Sequence, residues 1–107
     1  LTLDINGTPI SFVVDTGARQ VVLSQRDAAR IGLDPAGLEY SRSANTANGM
    51  VRTAPVVLEQ VALEGITDRN IAAVVNGGEM DTSLLGMTYL GLYNRIEITN
   101  GELVLMR

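Results

Sequence analysis

Phe12-Val13-Val14-Asp15-Thr16-Gly17-Ala18 is the stretch on which the reading of this chain turns. An apolar run ends in a single carboxylate, followed by a small hydroxyl residue and a glycine. Such a run carries its last residue out of a buried strand into a loop, and Gly17 lets the backbone turn tightly there. Asp15 alone fits two roles. It can be a turn-forming Asp that accepts backbone hydrogen bonds, or a reactive carboxylate presented at a strand end. The tripeptide Asp-Thr-Gly does not decide between them, since chance supplies it in on the order of a few per cent of chains this long.

Working outward, the same order of elements recurs faintly. Phe12-Val13-Val14 leads to the Asp15 loop, a short strand at Val21-Val22-Leu23, and a helix-favouring segment from Gln25 to Ile31. Ile71 to Val75 leads to the loop Asn76-Gly77-Gly78-Glu79-Met80-Asp81, a short strand at Ser83-Leu84-Leu85-Gly86, and a brief helix at about Met87 to Tyr93. Ser24 with Asp27 three residues on resembles a capping box, and Gly32 supplies the helix stop.

The remaining segments read as strands and turns. Leu1, Leu3 and Ile5 alternate with Thr2 and Asp4, the period of a half-buried strand. Asn6-Gly7 predicts a tight hairpin, because both central residues of a type I′ turn take positive φ. Ile10 to Val14 is the return strand. Asp34 to Ser43, with Pro35 and Gly37, is a loop. Ser41 to Ala47 and Val51 to Leu58 form a second hairpin, with Ala47-Asn48-Gly49-Met50 at its tip. Val61-Ala62-Leu63 is expected as a further short strand, Gly65 as a turn, and Ile96 to Thr99 with Leu103 to Met106 as a hairpin around Asn100-Gly101. Many short strands with frequent turns predict an all-β barrel or sandwich in one domain, residues 1–107.

Composition removes most chemistry. The chain has no Cys, His or Lys. That excludes thiolate nucleophiles, a Ser-His-Asp arrangement, His- or Cys-ligated metals and Schiff-base lysines. Acid–base work falls to carboxylates, with Tyr40, Tyr89 and Tyr93 as weaker candidates. A net charge of −4 argues against a nucleic-acid partner, which needs a basic patch. Glu79 and Asp81 fit no calcium-loop spacing, so neither metal nor cofactor is expected. The apolar runs are far shorter than the ~20 residues of a membrane span. The first residue is Leu1 rather than Met, so a processed or excised piece is expected, with any signal or membrane anchor upstream.

Taken in order, Val13-Val14-Asp15-Thr16-Gly17-Ala18, Ala47-Asn48-Gly49 and Leu84-Leu85-Gly86-Met87 resemble the retropepsin-like aspartic proteases, and most nearly their bacterial single-domain members. The resemblance covers nearly the whole chain. It implies a closed β-barrel with a flap hairpin and one or two short helices. It implies a catalytic loop of Asp15, Thr16 and Gly17, with Leu84-Leu85-Gly86 packed behind it. Substrate would be held by Ala18, Val51, Leu84 and the flap residues Ala47, Asn48 and Gly49. Because the chain has one Asp-Thr-Gly, the paired carboxylates of such a site require a homodimer, acting on a protein or peptide substrate. The resemblance also implies a periplasmic or cell-envelope location. Many viral members follow the motif with two acidic residues, one paired to an Arg after the late glycine. Here those places hold Arg19, Gln20 and Met87, so that ion pair is lost. The alternative is a fold of this kind kept as a dimerisation or binding module with little turnover.

Overall fold

A computed structural model describes residues 1–46 and 49–107. Strand β1 (Thr2–Ile5) turns at Asn6-Gly7 into β2 (Thr8–Val14). Asn6 and Gly7 take φ of 51° and 90°, the positive values that a type I′ turn demands. After the Asp15 loop come β3 (Val22–Leu23) and helix α1 (Gln25–Arg30). A 3-10 turn at Pro35–Gly37 leads to β4 (Arg42–Thr46), β5 (Gly49–Leu63) and β6 (Ile66–Asn76). Strand β7 (Ser83–Leu85), helix α2 (Met87–Leu90), and the hairpin β8 (Arg95–Thr99) and β9 (Glu102–Met106) complete the chain.

Six strands close a barrel in the order β1-β2-β7-β3-β6-β5, and β5 returns to β1 through Asp4↔Ala62 and Ile5↔Val61. The all-β closed barrel expected from the sequence is therefore the fold. Strand β4 lies outside the ring, paired only to the start of β5. Strands β8 and β9 form a separate two-stranded sheet.

The two expected strands Val51 to Leu58 and Val61 to Leu63 are one 15-residue strand. Its ladder with β6 runs from Thr53↔Asn76 to Leu63↔Ile66 and is interrupted only beside Asn70, which takes φ of 56°. The polar pair Glu59-Gln60 breaks the apolar pattern, and pairing lapses for one residue at Glu59, opposite Asn70, before it resumes at Gln60↔Arg69.

The faint recurrence in the sequence is a structural repeat. Strand β2 pairs in parallel with β7, and β6 pairs in parallel with β3. The two short strands meet antiparallel at Val22↔Leu84, where the two halves of the barrel cross. Leu3, Ile5, Ile10, Phe12, Leu23, Leu58, Leu85 and Tyr89 fill the interior between them. Each fully buried Leu or Ile is worth about 1.5–3 kcal/mol relative to exposure. Alternation persists inside the quoted apolar run: Phe12 is buried, whereas Val13 is 54% exposed.

Helix α1 is held by a cap more elaborate than the expected box. Ser24 Oγ accepts from the Asp27 N–H (3.1 Å), but the Asp27 carboxylate does not return to Ser24. Ser83 of β7 stands between them. Its Oγ accepts from the Ser24 N–H (3.0 Å) and donates to Asp27 Oδ2 (2.6 Å), all in the interior. The helix of the first half is thereby pinned to the short strand of the second.

Candidate active site

Asp15 sits immediately after β2, half-buried. Its N–H donates to Leu85 O (3.0 Å), which extends the β2–β7 ladder by one bond and fixes where the loop begins. Its Oδ1 accepts from the Gly17 N–H at 2.9 Å, and its carbonyl accepts from the Ala18 N–H at 3.2 Å. The carboxylate is thus oriented by its own loop, the turn chemistry favoured for Asp.

The loop's far side is clamped by the start of α2. Ala18 O accepts from the Met87 N–H (2.9 Å), and Arg19 O accepts from both the Thr88 N–H (2.7 Å) and Thr88 Oγ1 (2.9 Å). Gly86 makes this approach possible: a Cβ there would lie 2.3 Å from Gln20 O and 2.8 Å from Arg19 C. Leu84-Leu85-Gly86 therefore packs behind the Asp15 loop as the family resemblance implied, with Leu85 joined to it by hydrogen bond and Gly86 by close approach.

A cleft of about 700 Å³ opens over Asp15, between its loop and the β4–β5 hairpin. Of the residues chosen from sequence, Asp15, Ala18, Val51 and Leu84 line it. Thr16 and Gly17 are exposed beside Asp15. Among the described residues the Thr16 hydroxyl has no hydrogen-bond partner. Gly49 is exposed at the hairpin, with φ of 103°. It pairs with Thr46, which makes it the first residue of the returning strand rather than the centre of the turn. Ala47 and Asn48 lie outside the described residues.

The cleft also takes in residues that the sequence reading did not select: Arg19, Gln20, Ala44, Asn45, Thr53, Asn76 and Met80 among them. Ala44 is the cross-strand partner of Val51, whereas a turn centred on Asn48-Gly49 would have put Thr46 opposite Val51, so the expected register gave no signal for Ala44. Asn76 could have been reached through the recurrence noted above. Asp15 is the single acid among the described residues lining the cleft, and nowhere among the described residues do three acidic, His or Cys side chains gather as metal ligands.

A closed barrel of short crossing strands, with an Asp-Thr-Gly loop locked beneath a hairpin-covered cleft, defines the retropepsin-like aspartic protease class. Over 98% of this chain and 87% of the other, the fold superposes on a retropepsin-like aspartic protease from Rickettsia conorii, with TM-score 0.88 and 37% identity. It also matches EIAV protease bound to the inhibitor HBY-793 (TM-score 0.66, 21% identity, 85% and 83% of the two chains). The retroviral protease-like domain of Ddi1 from Leishmania major shares the fold too (TM-score 0.69, 19% identity, 97% and 84% coverage).

The family described as gag-polyprotein putative aspartyl protease matches residues 1–91, and this chain belongs to it. A Sinorhizobium protein from the cobV 5′ region is 43% identical over 103 residues, covering 95% of this chain and 44% of that protein. A Rickettsia prowazekii protein is 39% identical over 101 residues, covering 94% and 43%. The chain thus spans less than half the length of these curated relatives.

Proposed function

We propose that this domain is an aspartic endopeptidase whose active site forms when two copies bring their Asp15 residues together. The observation that carries the reading is the isolation of Asp15: one oriented carboxylate, locked on two sides, in a cleft with no second acid among its described lining. Peptide hydrolysis by carboxylates alone needs two, and a two-fold axis supplies the second. Two like charges a few ångströms apart do not both ionise readily, so the pair shares one proton, as in other aspartic proteases. The ionised member takes a proton from a bound water, which attacks the peptide carbonyl. The protonated member donates to the carbonyl oxygen.

In this reading Thr16, exposed and unpartnered among the described residues, hydrogen-bonds its counterpart beneath the two carboxylates. Gly17 faces the substrate backbone. Ala18, Val51 and Leu84 give the cleft apolar walls, which favours hydrophobic side chains around the cut. The β4–β5 hairpin, with Gly49 at its end, covers an extended substrate and supplies strand-like backbone bonds. A location in the cell envelope and an anchor outside these residues belong to the same proposal.

The test compares the protein with Asp15→Asn on casein and on a peptide library between mildly acidic and neutral pH. The expected loss is on the order of 10⁴-fold, the scale seen when a catalytic group that acts as part of a unit is removed. Equal activity of the two proteins refutes the reading, as does inactivity of a well-folded wild-type dimer.

A further inference from the structure

The Asp15 cleft does not end at its own walls. A second groove, of about 450 Å³, shares Arg19, Gln20 and Val74 with it and continues over the outer face of β5 and β6. Its floor is apolar, built from cross-strand pairs such as Val57↔Ala72 and Pro55↔Val74. Its charged residues are Arg19 and Arg42, with no acid among the described residues that line it.

This is unusual for a chain with 12 acids against 8 arginines. Most of the other arginines are committed. Arg30 meets Asp27, Arg95 meets Glu97, Arg107 meets Asp68, and Arg26 and Arg52 donate to backbone carbonyls. Among the described residues, the side chains of Arg19, Arg42 and Arg69 have no hydrogen-bond or ion-pair partner, and two of those three line this groove. The backbone of Arg19 is also fixed, because its carbonyl takes both the Thr88 N–H and the Thr88 hydroxyl. A held backbone carrying a free guanidinium is suited to an anion brought by something else.

Resting on the protease reading, we propose that Arg19 and Arg42 select peptide substrates carrying an acidic side chain near the cleaved bond. Arg19 lies four residues from Asp15, so the two Cα atoms are at most about 14 Å apart. An extended peptide covers that distance in about four residues. The carboxylate therefore falls within about four residues of the cut, and two-fold symmetry places one such site on each side. The apolar floor carries the stem of the residue and its neighbour, while the two guanidiniums meet the charge.

The test uses peptides with one hydrophobic core sequence and either Glu or Gln at each of the four positions on either side of the cut. Two readouts keep this inference separate from the protease reading. Binding is measured by fluorescence anisotropy on the Asp15→Asn protein, which needs no turnover, and kcat and KM are measured on the active protein. At low salt, Glu at the favoured position is expected to tighten binding and lower KM roughly threefold to tenfold, with kcat little changed. The preference shrinks as salt rises and disappears in the Arg19→Gln, Arg42→Gln double variant. Arg42→Glu is expected to reverse it in favour of Lys. Equal binding of Glu and Gln peptides, or a preference that survives in the double variant, overturns the inference even if the protein is an active protease. If Glu peptides bind preferentially but nothing is cleaved, the protease reading falls and the acidic-peptide site stands.

Discussion

Asn76 occupies, in the second half of the barrel, the place that Asp15 occupies in the first. Each follows the residue that ends a parallel ladder, Val14↔Leu85 for Asp15 and Val75↔Leu23 for Asn76. Each accepts the N–H of the residue two further on: Gly17 at 2.9 Å and Gly78 at 2.7 Å. A Cβ on either glycine would lie 3.3 Å from that side-chain oxygen. Both side chains open onto the same cleft. One loop geometry thus serves twice, once with a charge and once without.

The repeat predicts which changes the second loop tolerates. Asn76→Ala removes the acceptor for the Gly78 N–H in a nearly buried position and is expected to cost about 1–2 kcal/mol. Asn76→Asp keeps that acceptor and loses only the contact of Nδ2 with Met80 Sδ, at 3.7 Å. Its cost is expected to be smaller than that of Ala. Urea unfolding of the two variants against the parent checks the order, and a costlier Asp would show that the loops are held by different forces.

Gly86 is predicted to be the least replaceable glycine. Gly86→Ala drives a Cβ into Gln20 O and Arg19 C at 2.3 and 2.8 Å, both of them backbone atoms that no side-chain rotation relieves. The clamp on the Asp15 loop must then open, at an expected cost of 3 kcal/mol or more (roughly, by the scale of overpacked sites). Gly101→Ala is the control. It has nothing within 4 Å and only its φ of 78° to accommodate, so about 1 kcal/mol is expected. Thermal unfolding of both, with activity on a fixed substrate, separates steric from conformational cost.

Ser83 carries the joint between the two halves. Its hydroxyl serves Ser24 N–H and Asp27 Oδ2 at once, and Ser83→Ala strands both in the interior. Arg30, at 3.5 Å from the other carboxylate oxygen, remains as partial compensation. A loss of about 2–3 kcal/mol in urea unfolding is expected. A change below 0.5 kcal/mol would mean the network adds nothing beyond packing.

Tyr89 makes stability sensitive to alkali. Burial, then the hydrogen bond and charge of Tyr93, whose hydroxyl lies 2.6 Å away, push its ionisation well above the ordinary value near 10. The unfolded chain releases that proton at about pH 10, while the folded chain holds it. The neutral form's contribution is fully present below pH 10 and is lost above it, at up to about 1.4 kcal/mol per pH unit. Tyr89→Phe should lower stability at neutral pH, by losing the hydrogen bond, yet flatten the decline between pH 9 and 11. Denaturant titrations across that range compare the two slopes, and parallel curves would refute the assignment.

How much of this the sequence made legible depended on whether the signal was local. The hairpins at Asn6-Gly7 and Asn100-Gly101 were readable because their backbones need positive φ. The Asp15 loop was readable because an apolar strand feeds it. Closure of the barrel was legible only through the family resemblance, since Asp4↔Ala62 joins residues with no local mark of each other. The continuity of β5 was not legible, because Glu59-Gln60 interrupts the apolar pattern while the strand runs on and its ladder skips only Glu59. Asn76 was reachable through the recurrence of element order but was passed over, because its amide stands where the first half has a charge. Arg19 was visible only as a departure from the viral pattern. Its role in a groove needed the positions of β5 and β6.

The terminal hairpin bears on how two Asp15 loops would meet in the proposed dimer. Strands β8 and β9 pair with no other strand among the described residues, and an isolated two-stranded sheet is marginal in water. Ile96 and Leu105 face the barrel, and Arg107 ties the end of the hairpin to Asp68 and stacks on Tyr93 at 4.5 Å. Val104 and Met106, on the face opposite to Ile96 and Leu105, remain 40% and 50% exposed. A second copy laying its own hairpin alongside would cover these side chains and turn two strands into four. Val104→Lys with Met106→Glu puts a charge of opposite sign across from Glu97 and Arg95 respectively, so it should cost the half-exposed hairpin of the monomer little thermal stability. It should shift sedimentation toward the monomer and reduce peptidase activity in proportion to the lost dimer. An unaltered dimer in this double variant would place the two-fold axis on another surface.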